Sequence, residues 1–120
     1  MRKYPFRLTL GLLLALGAGG SAAFAHAFLD HASPAVGSTL AATPPNVRIW
    51  FTQELEAAFS GIEVSDAQGV RVDSGASQFA GNLMTVALKP LPPGEYKVHW
   101  HVISVDTHAT EGNFTFRVGS

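Results

Sequence analysis

Tyr96-Lys97-Val98-His99-Trp100-His101-Val102-Ile103-Ser104-Val105 is the stretch that decides the fold. Tyr96, Val98, Trp100 and Val102 fall on one parity, while His99, His101 and Ile103 fall on the other. Successive side chains of a strand point to opposite faces, so this alternation predicts a long strand with one face in a core. Downstream, Asn113 to Val118 alternates in the same way, with Phe114, Phe116 and Val118 inward and Thr115 and Arg117 outward. Upstream, Val47-Arg48-Ile49-Trp50-Phe51 places its Val, Ile and Phe on a shared face.

The remaining runs are short and closely spaced between turn residues. Phe28 to Ala32 reads as a first strand closed by Ser33-Pro34, and a loop through Gly37-Ser38 and Thr43-Pro44-Pro45-Asn46 leads to the second. Gly61-Ile62-Glu63-Val64, Val70-Arg71-Val72 and Asn82 to Leu88 read as further strands, with Asp66-Ala67-Gln68-Gly69 as a turn. Pro90, Pro92, Pro93 and Gly94 interrupt regular structure until Glu95. Gln53 to Ser60 has room for a helical turn only. Many short strands between turn signals predict an all-β Greek-key β-sandwich or barrel.

Residues 1–25 carry a targeting pattern. Arg2, Lys3 and Arg7 precede the apolar run Leu8 to Leu16, and Ala23-Phe24-Ala25 is a small-x-small cleavage triplet. The run falls short of the ~20 apolar residues that span a bilayer. Export with cleavage after Ala25 is therefore expected, leaving one domain over 26–120 with His26 as its first residue. That mature chain has five basic residues against nine acidic ones, a net charge of −4, which argues against nucleic acid as a partner. It has no stretch apolar enough to enter a membrane. Cysteine is absent and Met84 is the only methionine after residue 25, so thiolate sites are excluded and soft sulfur donors nearly so.

Val105-Asp106-Thr107-His108 concentrates the chemistry. In extended structure Asp106 and His108 leave the same face and converge on one small object, and a metal ion is the natural candidate. A mature N-terminal His26 adds a third group. Its α-amine and ring Nδ1 close a six-membered chelate that exists only after cleavage, because before it the amine is an amide. His26, Asp106 and His108 together offer three nitrogens and one oxygen, a set that suits Cu(II), with zinc as the competing ion. Nucleophilic catalysis finds no such support: there is no Gly-x-Ser-x-Gly elbow, no phosphate-binding glycine loop, and no cysteine. Glu54 and Glu56 read as surface carboxylates. His99 and His101 share an outward face where a His-x-His pair can bind a metal, but they read as ordinary exposed residues opposite the core stripe. His31 reads as structural or exposed.

Several of these residues resemble one family. His26-Ala27, Ser33-Pro34-Ala35 with Gly37-Ser38, Arg48-Ile49-Trp50-Phe51-Thr52, and Trp100 through Ser104-Val105-Asp106-Thr107-His108 to Gly112-Asn113-Phe114-Thr115-Phe116 resemble the CopC family of periplasmic copper-resistance proteins. The resemblance implies a cupredoxin-like or immunoglobulin-like barrel, not an enzyme, that binds one Cu(II) per chain. By the resemblance the ligands fall on His26, Asp106 and His108, and an inner-membrane partner of the CopD type is expected. Some members also hold Cu(I) in a methionine-rich loop; the stretch from Gln53 to Met84 has a single methionine, so no Cu(I) site is expected here. Related Cu(II)-only members have a glutamate where this chain has Gln53, with Glu54 beside it. Two other readings remain open: a histidine-brace oxidative copper enzyme, and a plain β-sandwich interaction module.

Overall fold

Alternating apolar residues need a second apolar surface to cover them, and in this chain two sheets supply it to each other. The computed structural model describes residues 28–119. Its eight strands are β1 (Leu29–Ser33), β2 (Thr39–Leu40), β3 (Asn46–Phe51), β4 (Gly61–Ser65), β5 (Gln78–Ala80), β6 (Leu83–Ala87), β7 (Gly94–Ile103) and β8 (Ala109–Val118). One sheet has the order β1-β3-β6-β5 and the other β2-β8-β7-β4. The architecture is the all-β sandwich that the alternation predicts. It is an open sandwich: both sheets keep free edges, so the barrel is not closed.

The three main stripes face inward as read. Val47, Ile49 and Phe51 from β3, Val98, Trp100 and Val102 from β7, and Phe114, Phe116 and Val118 from β8 are all buried. Phe51 meets the Trp100 ring edge-on at 5.1 Å, and Tyr96 stacks on Phe116 at 5.7 Å. The long hairpin pairs Trp100 with Gly112, and the indole occupies the space over that glycine. A Cβ built on Gly112 would lie 2.5 Å from Trp100 Cζ2, so close approach, not backbone freedom, requires glycine there.

Several boundaries differ from the sequence reading. The strand expected over Tyr96 to Val105 runs from Gly94 to Ile103, because Ser104 to His108 turns the chain into β8. β8 itself begins at Ala109, four residues before Asn113. Val70-Arg71-Val72 makes only an isolated bridge, Arg71 to Ser65. β2 and β5 are short edge strands, and two or three residues leave too little periodicity to read. Between Gln53 and Ser60 a single 3-10 turn forms at Ala57–Phe59.

One buried charge ties the loop after β4 to the core. Asp73 accepts the Val64 amide at 2.9 Å, and Arg71 donates Nε to Oδ2 at 2.7 Å and Nη2 to Oδ1 at 2.9 Å. Burial pushes the Asp73 carboxyl up, but the hydrogen bonds from Arg71 and Val64 with the guanidinium charge outweigh it, and the group titrates below its ordinary 3.8. A carboxyl depressed on folding stabilises fully above its unfolded value, and that contribution drains away as pH falls through the folded one.

Two outcomes follow for denaturation experiments. Gly112→Ala should cost about 1–3 kcal/mol by forcing the indole or the strand to shift, read as a lower urea midpoint with unchanged slope. Asp73→Ala should cost about 1–3 kcal/mol at pH 7 by stranding the buried Val64 amide. The gap between wild type and this variant should narrow as the pH is taken below 4, and a constant gap from pH 7 to 2 would contradict the role given to the Asp73 charge.

Candidate metal centre

The segment that leaves β3 crosses one end of the sandwich and gathers its loops. Phe28 N donates to Thr52 Oγ1 at 2.9 Å, and Thr52 N donates back to the Phe28 carbonyl at 2.8 Å. Two residues further, the Glu54 carbonyl accepts the Val105 amide at 3.0 Å, and Glu56 N donates to the Ile103 carbonyl at 2.8 Å. Leu55, buried between them, bridges to Ser104. The first described residue and the β7–β8 loop are thus held to the same short stretch of backbone.

Within that loop, Ser104 N donates to the His108 carbonyl at 3.1 Å and Thr107 N to the Ser104 carbonyl at 2.8 Å. The chain closes in five residues, with Thr107 at φ 70°. A β-branched residue in the left-handed region is a strained exception held by its surroundings. Asp106 Oδ1 and His108 Nδ1 come to 3.4 Å of each other, on side chains that are 42% and 51% exposed. The two groups converge as the spacing suggested but for a different reason. They lie in a tight turn, where the left-handed Thr107 reverses the chain, and not on one face of an extended strand.

Ser104 is the residue the sequence reading passed over. It is fully buried, and its hydroxyl donates to Asp106 Oδ1. That hydrogen bond is the main reason the Asp106 carboxyl is held below its ordinary value; desolvation opposes it, and the neighbouring His108 imidazole adds to the lowering. A signal was present: Ser104 continues the inward parity of Tyr96, Val98, Trp100 and Val102, and a hydroxyl in core register needs a partner. It is no nucleophile, since it spends its proton on the carboxylate from a position without solvent access.

The other candidates separate cleanly. His26 and the expected cleavage point after Ala25 lie outside the described residues. His31 stacks on Trp50 at 4.3 Å and pairs with Asp30 at 2.8 Å on the outer surface of β1 and β3. Glu54 and Glu56 are exposed, and both serve the site through backbone groups. Gln53 is half-buried in the same crossing segment. His99 and His101 lie on the outer face of β7 with ring centroids 6.4 Å apart. Among the described residues no three His, Asp or Glu side chains already converge on one point, and no helix is long and apolar enough to cross a membrane.

Fold and site together define a small open β-sandwich protein with a carboxylate and an imidazole paired on an end loop. The CopC domain pattern matches residues 29–119, and the chain belongs to the CopC family. The copper resistance protein C of Xanthomonas campestris pv. juglandis is 31% identical over 119 residues, covering 92% of this chain and 93% of that one. The crystal structure of CopC from Methylosinus trichosporium OB3b superposes with a TM-score of 0.74 at 32% identity, over 78% of this chain and 94% of that one. PcoC, described as a methionine-rich copper resistance protein from Escherichia coli, gives 0.69 at 31% identity, over 78% and 98%. The Xanthomonas and Escherichia coli relatives are named for copper resistance and not for an enzymatic activity.

Ser104→Ala should return the Asp106 carboxyl towards its ordinary value, an upward shift visible in a carbon-13 titration of its Cγ. An unmoved titration would remove Ser104 from the site.

Proposed function

We propose that this chain is an exported, non-enzymatic copper carrier or buffer of the periplasm, cleaved after Ala25, that holds one Cu(II) per chain. The ligands are the α-amine and ring Nδ1 of His26, the Asp106 carboxylate and the His108 imidazole. The observation that carries this is the loop geometry: Asp106 and His108 within 3.4 Å, on a loop bonded to the same crossing segment that anchors Phe28. In this reading His26 is two residues from Phe28, a reach of at most about 7 Å, and the crossing segment shared by Phe28 and the loop supports its joining Asp106 and His108.

The donor types fit the ion. Nitrogen and carboxylate donors suit Cu(II), which heads the affinity order among the divalent ions of its row. An aspartate is ionised at neutral pH in any case, and the hydrogen bond from Ser104 lowers the Asp106 carboxyl further. The copper resistance named for the relatives points the same way. A Cu(I) site of the sulfur type has no material here: Met84, the one methionine beyond residue 25, is fully buried in the core. An inner-membrane protein of the CopD type is the proposed recipient or source of the ion.

Electron paramagnetic resonance of the mature chain with one equivalent of Cu(II), beside a form with one extra residue before His26, tests the chelate. A tetragonal nitrogen-rich spectrum that changes in the extended form is expected, and identical spectra would sink the ligand set. Free α-amines and imidazoles ordinarily shed their protons between about pH 6 and 8, and they must do so to bind. Affinity should therefore fall steadily from pH 8 to 5 while Asp106 stays charged; a flat profile over that range would exclude the amine and the imidazoles as ligands.

A further inference from the structure

The outer face of β4, β7 and β8 carries a second set of donors well away from the end loop. The registers place His99 opposite Asn113 and His101 opposite Glu111 on β8, with Glu63 and Gly61 as their partners on β4. All of these are on the outward parity. His99 Nε2 lies 3.4 Å from Glu111 Oε1. Two donors bound to one zinc-sized ion at about 2.0–2.1 Å with a tetrahedral angle stand about 3.3–3.4 Å apart, so this pair already has the spacing of two ligands on one metal.

The other ring nitrogen is also arranged for ligation. Asn113 Oδ1 is 3.0 Å from His99 Nδ1; in the neutral Nδ1–H tautomer that hydrogen goes to Asn113 and the lone pair stays on Nε2, the atom that faces Glu111. A ligating imidazole characteristically gives its second N–H to such an oxygen, which fixes the tautomer and the ring plane. Glu63 is drawn to Arg71 at 3.7 Å on its own side.

His101 supplies a third donor. It is exposed, stands directly across from Glu111, and leans over Gly61, where a Cβ would lie 3.2 Å from its Cε1. The missing side chain at Gly61 lets the imidazole lie on the β4 side, and a turn about its Cα–Cβ bond would carry it towards Glu111 on the other side. His101 and Glu111 also form part of the wall of a solvent-open hollow of about 330 Å³, whose apolar lining includes Phe59, Ile103 and Ala109. The hollow keeps this side of His101 and Glu111 open to water or a small ligand. We propose that His99, His101 and Glu111 form a second site on this face for a divalent cation of the zinc type, completed when His101 rotates inward. Two neutral imidazoles and one carboxylate with an open position are the donor set of a non-structural zinc centre.

The test uses the mature chain carrying His26→Ala, Asp106→Ala and His108→Ala, so that the end loop contributes nothing, titrated calorimetrically with Zn(II) alone. One equivalent should bind saturably in the micromolar range, and the ring nitrogens of His99 and His101 should shift together in long-range proton–nitrogen spectra. His99→Gln, His101→Gln and Glu111→Gln should each weaken binding, and Asn113→Ala should weaken it about tenfold or more through the tautomer. Backbone amide spectra matching the parent show that each variant keeps the fold. No saturable binding up to millimolar Zn(II), or binding that any one of the three ligand substitutions leaves unweakened, overturns the proposal.

Discussion

The register of the β7–β8 hairpin is the constraint on which the rest of the structure depends. Ten residue pairs run from Gly94 with Val118 to Ile103 with Ala109, and at one of them the Trp100 indole fills the space over Gly112. Any other pairing would set a side chain under that ring. A slip of one residue would also move every inward side chain outward. The tryptophan and glycine thus select the register, and the register places the core stripe on one face and the imidazole row on the other. It also leaves the same five residues to make the turn.

That turn is where the sandwich converts rigidity into chemistry. Asp106 and His108 are surface groups, yet their positions are inherited from buried ones. Ser104 carries the hydrogen bond from the core to the carboxylate, and buried Leu55 bridges to it through the backbone. The crossing segment Thr52 to Glu56 adds a second constraint by bonding Phe28 at one point and Val105 at another. The elements that gather at this end are far apart in sequence, and hydrogen bonds across the end of the sandwich, most of them between backbone groups, bring them together. A strained Thr107 fits this picture, since a left-handed threonine persists only where its surroundings hold it.

The inward stripes were legible because period-two alternation over five to seven residues is a strong signal, and Val47 to Phe51, Tyr96 to Val102 and Phe114 to Val118 all carry it. Asp106 and His108 were legible as chemistry-bearing types at a short spacing. Their geometry was not, because a turn and a strand end both bring positions two apart into reach. Ser104 was half legible: its parity marked it as inward, but nothing local named Asp106 as its partner. β2 and β5 were too short to show a period, and the Val70 to Val72 run has strand-forming residues without a partner strand to extend it.

From sequence alone came the class of fold, the inward and outward faces of the long strands, the identity of the polar groups and the family resemblance. These are local properties, set by which side chains alternate and which residues break the chain. Tertiary structure alone decided what those groups meet: that Ser104 reaches Asp106, that Phe28 and Val105 share one crossing segment, and that Glu111 and Asn113 stand on either side of the His99 ring. The physical reason is that pairing between distant strands is fixed by the packing of the whole core, so cross-strand neighbours are a consequence of register and appear in no single stretch of the chain.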